Sequence, residues 1–235
     1  MSRRDSKKEF EELIVNREPK SPVSEAYREL RTNLSYLNPD DPLTKIAITS
    51  SGTQEGKSLT LANLAITLAN NEQDVIIIDA DLRKPRQHEI YNLPKHKGLS
   101  DILIGEISFL EGVQKTEINR VKLISTGFIP PNPSELISSN KMEEVINKAE
   151  EKADFVLVDT PPVLPVTDAA ILANKLDGTL LVVASHETEE EMLDRTKEKL
   201  EKANVNIIGV VLNKYPIETE TDYYYSVASQ KTLNG

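Results

Sequence analysis

Short, continuous apolar runs alternate with helical stretches along most of the chain. The runs Ile46 to Thr49, Val75 to Asp79, Val121 to Ser125, Phe155 to Asp159, Thr179 to Ala184 and Asn206 to Leu212 are apolar at successive positions rather than at every second one. That pattern suits strands buried on both faces. Between them, residues 59–70, 133–152, 166–175 and 187–203 repeat their apolar side chains at helical spacing. Strands and helices in alternation predict an α/β fold: a doubly wound, mostly parallel sheet flanked by helices. In such sheets ligands bind beyond the C-terminal strand ends, so those ends are the places to search for chemistry.

Upstream, Ser21 offers an N-cap and Pro22 a first helical position, and Val23, Ala26, Tyr27, Leu30, Leu34 and Leu37 recur at helical spacing. This predicts an amphipathic helix that stops before Asn38-Pro39-Asp40-Asp41-Pro42. Residues 1–20 mix charges without a period and read as a mobile or partly helical arm. From residue 215 the chain is polar and acidic, with Pro216 near its start, and is expected to leave the packed domain. The expected organisation is an arm over 1–20, one domain over 21–214 and a tail over 215–235.

Composition narrows the chemistry. A chain of 235 residues with 38% hydrophobic and 28% charged residues can bury one core. Its apolar runs are far shorter than the roughly 20 residues that span a bilayer, and Met1 to Lys8 lacks an apolar signal core, so a cytoplasmic location without direct membrane insertion is expected. The absence of cysteine excludes disulfides, thiolate metal sites and cysteine nucleophiles. A formal charge of −10 makes nucleic acid a poor partner, although a local basic site can still hold a nucleotide's phosphates.

Three strand ends carry candidate chemistry. Ile46 to Thr49 runs into Ser51-Gly52-Thr53-Gln54-Glu55-Gly56-Lys57-Ser58 and then, from Leu59, an apolar helix. Strand, loop and helix in that order are the context of a phosphate-binding loop, where backbone amides and a helix N-terminus face the anion. Lys57 would reach the β- and γ-phosphates and the Ser58 hydroxyl would bind Mg²⁺. The usual pattern has glycine where this chain has Ser51, and its other glycine is displaced to Gly52. Val75 to Ile78 leads into Asp79-Ala80-Asp81, two carboxylates that can serve a metal and a general base; capping and solvated aspartates are the plainer alternative. Phe155 to Val158 ends in Asp159-Thr160-Pro161-Pro162, the kind of strand end that supports Mg²⁺ in P-loop proteins.

These segments, in this order, resemble the bacterial tyrosine kinases, or BY-kinases, that partner capsule and exopolysaccharide assembly systems. The resemblance runs from about Glu25 to Tyr225. It identifies Ser51 to Ser58 as Walker A, Val75 to Arg83 as the family's second motif and Phe155 to Pro162 as Walker B. Ile129 to Leu136 also looks like a family segment, without an assigned role. The resemblance implies an ATP-dependent protein-tyrosine kinase using Mg²⁺, with Ser58, Asp81 and Asp159 at the metal and Asp79 favoured as base. The two aspartates of the pair can exchange roles. Asn213, after the last strand, stands where related P-loop proteins contact adenine.

Tyr223, Tyr224 and Tyr225 resemble the family's C-terminal cluster, autophosphorylated in trans; Tyr215 is expected to be buried or structural. Glu25, Arg28 and Arg31 match a Glu-x-x-Arg-x-x-Arg element that the resemblance assigns to contacts in a ring-shaped homo-oligomer, whereas on spacing alone they read as a solvated helix face. A membrane-anchored adaptor is the implied partner. The rival reading is a Min- or Par-like ATPase switch of the same fold without kinase activity. It fits less well, because no basic amphipathic helix follows Ile217 and the net charge does not favour DNA.

Overall fold

The computed structural model describes residues 13–40 and 42–216. Residues 1–12 and the tyrosines at 223, 224 and 225 lie outside the described residues.

The chain begins with α1 (Ile14–Arg17) and α2 (Pro22–Tyr36), then alternates through β1 (Lys45–Ser50), α3 (Lys57–Ala69) and β2 (Val75–Asp79). Three short helices follow, α4 (Gln87–Ile90), α5 (Leu99–Leu103) and α6 (Phe109–Gly112), leading to β3 (Val113–Lys115) and β4 (Val121–Ile124). The chain then runs through α7 (Pro133–Ser138), α8 (Asn140–Glu150), β5 (Phe155–Asp159), α9 (Asp168–Ala173), β6 (Gly178–Ala184), α10 (Glu190–Lys202) and β7 (Ile207–Asn213).

Among the described residues the strands form one seven-stranded sheet in the order β3-β4-β2-β5-β1-β6-β7. All pairings are parallel except β3 with β4. The sheet is the expected doubly wound one, with an antiparallel edge strand added. The interior strands β1, β2, β5 and β6 are buried almost throughout, because helices cover both faces. On one face α1, α2 and α3 pack with Ile46, Ile48, Ile77 and Leu157; on the other, Ile76, Ile78, Val156 and Val158 meet α5, α6 and α8.

Three of the departures from the sequence-based expectation have physical causes. The expected helix over 133–152 is two helices, because Ser139 takes an extended conformation (ψ 155°) and caps α8 by accepting from the Met142 amide. The short α4, α5, α6 and β3 carry too few residues for a period to show. Leu13 and Val15, inside the segment read as an arm, are 0% and 2% exposed and join the core beside α3. Burying such side chains contributes ~1.5–3 kcal/mol each. Tyr215, expected to be buried or structural, is 65% exposed.

The amphipathic helix α2 starts as its sequence demands, with the Ser21 side chain accepting from the Ser24 amide and proline in the first turn. Glu25 is exposed and holds the Arg28 guanidinium, which also donates to the Pro19 carbonyl. Arg31 instead turns toward α3 and donates to the Thr67 carbonyl at 3.3 Å.

Candidate active site

Parallel pairing of β2 with β5 sets Asp79 directly beside Asp159, and pairing of β5 with β1 sets Asp159 beside Ile48, just before the phosphate loop. Three strand ends therefore meet at one place, at the C-terminal edge of the sheet. Lys57 opens α3 there, the long helix that runs back along the sheet and is buried over nearly its whole length.

The loop is braced by its own residues. Glu55, only 5% exposed, turns back so that its carboxylate accepts from the Ser51 and Gly52 amides at 3.0 and 3.1 Å, and from the Thr188 hydroxyl at 3.0 Å. Thr53 and Gln54, at the loop tip, are exposed. Gly56 takes a positive φ of 93° and is crowded by Asn213 at the end of β7. Asn213 Nδ2 donates to the Glu55 carbonyl at 2.9 Å. In this structure Asn213 thus holds the back of the loop.

The charges converge on one cation. Lys57 Nζ lies 3.0 Å from Asp81 Oδ2, 3.0 Å from Asp159 Oδ1 and 3.2 Å from Ser58 Oγ. Burial alone would lower the Lys57 pKa, but Asp159 and Asp81 reverse this and hold it above the ordinary lysine value. Asp81 is oriented by the Arg83 and Lys84 amides, which donate to its Oδ1 at 3.3 and 2.9 Å.

Asp79 stands apart from this cluster although it is buried completely. Its Oδ2 accepts from the Gln87 amide at 3.0 Å, and its Oδ1 meets no donor among the described residues. Burial first, and then the neighbouring charge of Asp159, push its pKa well above the usual carboxylate range, against the pull of Lys57 and the Gln87 amide.

Magnesium suits the oxygens present. It prefers hard oxygen donors and takes one or two carboxylates plus phosphates rather than an all-protein cage. The hydroxyl of Ser58 and the carboxylates of Asp81 and Asp159 already share one cation, the Lys57 ammonium. Among the described residues there is no group of three or more His, Cys, Asp or Glu that could hold a metal ion by itself.

Comparison with known proteins bears on what such a site serves. Residues 43–227 match the ParA family, described as NUBPL iron-transfer P-loop NTPase. A putative tyrosine-protein kinase, CapB of Staphylococcus aureus, is 37% identical over 213 residues, covering 91% of this chain and 93% of CapB. The tyrosine-protein kinase YwqD of Bacillus subtilis (strain 168) is 39% identical over 213 residues, covering 91% of this chain and 90% of YwqD. The chain belongs to the bacterial tyrosine-protein kinase family. The solved kinase domain of the Escherichia coli tyrosine kinase ETK superposes with a TM-score of 0.85 at 31% identity, covering 88% of this chain and 82% of that one. The family's P-loop fold is accordingly that of a nucleotide-binding protein, while the chain has no cysteine with which to bind an iron–sulfur cluster.

Family membership leaves several of this chain's contacts to be found in the structure. Arg83 Nε donates to Asp168 Oδ2 at 2.9 Å, and the Ser134 hydroxyl donates to Asp168 Oδ1 at 2.5 Å. The proline-rich segment, to which the sequence assigns no chemistry, is thereby tied to the second motif. Thr188 and Asp168 carried no sequence signal, and Glu55 and Ser134 were legible only as members of the loop and of the proline-rich segment, since Thr188 and Asp168, which they contact, lie far off in the chain. Gln87 was missed for the same reason: it is 0% exposed, and its side-chain amide donates to the Ser58 carbonyl at 2.9 Å and to Asp159 Oδ2 at 2.7 Å.

Proposed function

We propose that this chain is an ATP-dependent protein-tyrosine kinase that phosphorylates Tyr223, Tyr224 and Tyr225 of a neighbouring copy and regulates capsule or exopolysaccharide assembly. The observation that carries the reading is the gathering of Ser58, Asp81 and Asp159 around the Lys57 ammonium, beside a buried Asp79.

In this reading the amides from Ser51 to Leu59 and the N-terminus of α3 hold the ATP phosphates, and Lys57 leaves its carboxylates to neutralise them. Ser58, Asp81 and Asp159 would hold magnesium, which would supply further positive charge to the nucleotide phosphates. A tyrosine oxygen attacks the γ-phosphorus, its bond to the β-bridging oxygen breaks, ADP departs, and the phenolic proton passes to a carboxylate. Asp79 suits the role of proton acceptor, because the Lys57 ion pairs go to Asp81 and Asp159 and the raised pKa of Asp79 narrows the gap to a tyrosine hydroxyl near 10. Asp81 faces Lys57 and suits the metal.

The protein works at the inner face of the membrane through a membrane-anchored adaptor, and assembles as a ring through Glu25, Arg28 and Arg31. No helix among the described residues is long and apolar enough to cross a membrane. The ParA match keeps one rival in view, an ATPase switch that releases phosphate without labelling protein.

The test mixes two forms. Chains carrying Lys57→Met, with the tail intact, are incubated with active chains lacking residues 217–235 and with γ-labelled ATP. Label on the Lys57→Met chains supports phosphorylation in trans; phosphate release with unlabelled protein supports the switch.

A further inference from the structure

Gln87 touches all three segments of the proposed site. Its main-chain amide donates to Asp79 at the end of β2, and its side-chain Nε2 donates both to Asp159 Oδ2 at the end of β5 and to the Ser58 carbonyl at the start of α3. It lies six residues beyond Asp81, on the first turn of α4.

The orientation of its amide follows from the partners. Both neighbours of Nε2 are acceptors, a carbonyl and a carboxylate, so a flipped amide would set oxygen against oxygen. The remaining atom, Oε1, is buried and meets no donor among the described residues. An unmet buried acceptor is destabilising, and a methionine or leucine of similar volume would avoid that cost. Gln87 is therefore poorly explained as filler. What it gains is two donated hydrogen bonds, one of them to a buried carboxylate, and those are the strong kind.

The effect on Asp159 is specific. Its two oxygens have different partners, Oδ1 the Lys57 ammonium and Oδ2 the Gln87 amide. With Oδ2 tied, the plane of the carboxylate is fixed and Oδ1 is presented to the cation. The bond to the Ser58 carbonyl fixes the main chain of the residue whose hydroxyl faces the same cation.

We propose that Gln87 is a positioning residue that aligns Asp159 and Ser58 so that their oxygens converge with Asp81 on the magnesium ion accompanying the nucleotide. The inference rests on the reading of a magnesium–nucleotide site, and it concerns binding rather than the transfer step. Residues that orient metal ligands in this way change metal affinity by about 10–100-fold when lost.

The experiment measures binding of a fluorescent ADP analogue to the full chain, with magnesium and with EDTA, for wild type, Gln87→Met and Gln87→Asn. Methionine keeps the volume and removes both donors; asparagine keeps the amide but is one methylene too short to span both acceptors. Each variant is read well below its own unfolding temperature. The expected result is that the magnesium-dependent gain in affinity falls by about 10-fold or more, while affinity in EDTA stays within about 2-fold of wild type. Where Gln87→Met does not fold, Gln87→Asn is expected to show the same loss. An unchanged magnesium gain, or an equal loss with and without magnesium, in a folded variant overturns the proposal. A wild-type protein that binds the analogue no better with magnesium overturns instead the reading of the site itself.

Discussion

A methyl group built on Gly56 would lie 2.0 Å from Nδ2 of Asn213, a residue 157 positions away at the end of the edge strand. Gly56 also has a φ of 93°, where an L side chain is strained. Glycine is thus required here twice, by conformation and by the close approach of β7 to the phosphate loop.

Gly56→Ala should therefore abolish nucleotide binding and lower stability by about 1–3 kcal/mol, the cost of a strained backbone site. Asn213→Ala in the same chain removes the clash and leaves the φ strain, so it should restore part of the stability. Thermal unfolding and nucleotide titration of the single and double variants check this.

Lys57→Met should abolish phosphorylation, since the lysine neutralises phosphate charge. The structure adds a second effect. Lys57 pairs with Asp81 and Asp159, whose side chains are 4% and 0% exposed, so its loss leaves two buried carboxylates unpaired. The nucleotide-free variant should be less stable by on the order of 3 kcal/mol, read by denaturant unfolding. Labelling at the wild-type rate would remove Lys57 from the site.

Asp79→Asn and Asp81→Asn should separate. Loss of Asp81 is expected to weaken magnesium–nucleotide binding, whereas loss of Asp79 should slow transfer with nucleotide still bound. The nucleotide-free protein should also respond in opposite senses. A folded-state pKa above the unfolded one means that the native state holds the extra proton, so Asp79 lowers stability progressively as pH rises through the interval between the two. Asp79→Asn should remove that loss and raise the unfolding temperature at neutral pH. Equal affinity, rate and stability in both variants would sink the division of roles.

Replacing Glu25, Arg28 and Arg31 together with Ala should shift the assembly toward monomer. Arg31 makes an internal contact with Thr67, so Glu25→Ala with Arg28→Ala is the cleaner variant. An exposed ion pair is worth at most about 1 kcal/mol, and stability should change little. Unchanged mass by light scattering would return these residues to the solvated face of α2.

The legibility of the sequence followed the range of the interactions. Strand ends announced themselves locally: Lys57, Asp79, Asp81 and Asp159 each follow an apolar run, and those runs are adjacent strands. Gln87 and Asp168 were silent, because their importance lies in partners 72 and 85 residues away. Leu13 and Val15 were hidden by the charged residues around them. Asn213 carried a signal, yet its contact with Glu55 and the closeness of Gly56 needed three dimensions.

The most direct measurement is incubation of the full chain with γ-labelled ATP and magnesium, followed by mapping of the acid-stable label by mass spectrometry. Tyrosine phosphorylation within 223–225, lost when those three tyrosines are changed to phenylalanine, is the expected result. Release of inorganic phosphate with no phosphotyrosine anywhere in the chain would contradict the kinase reading.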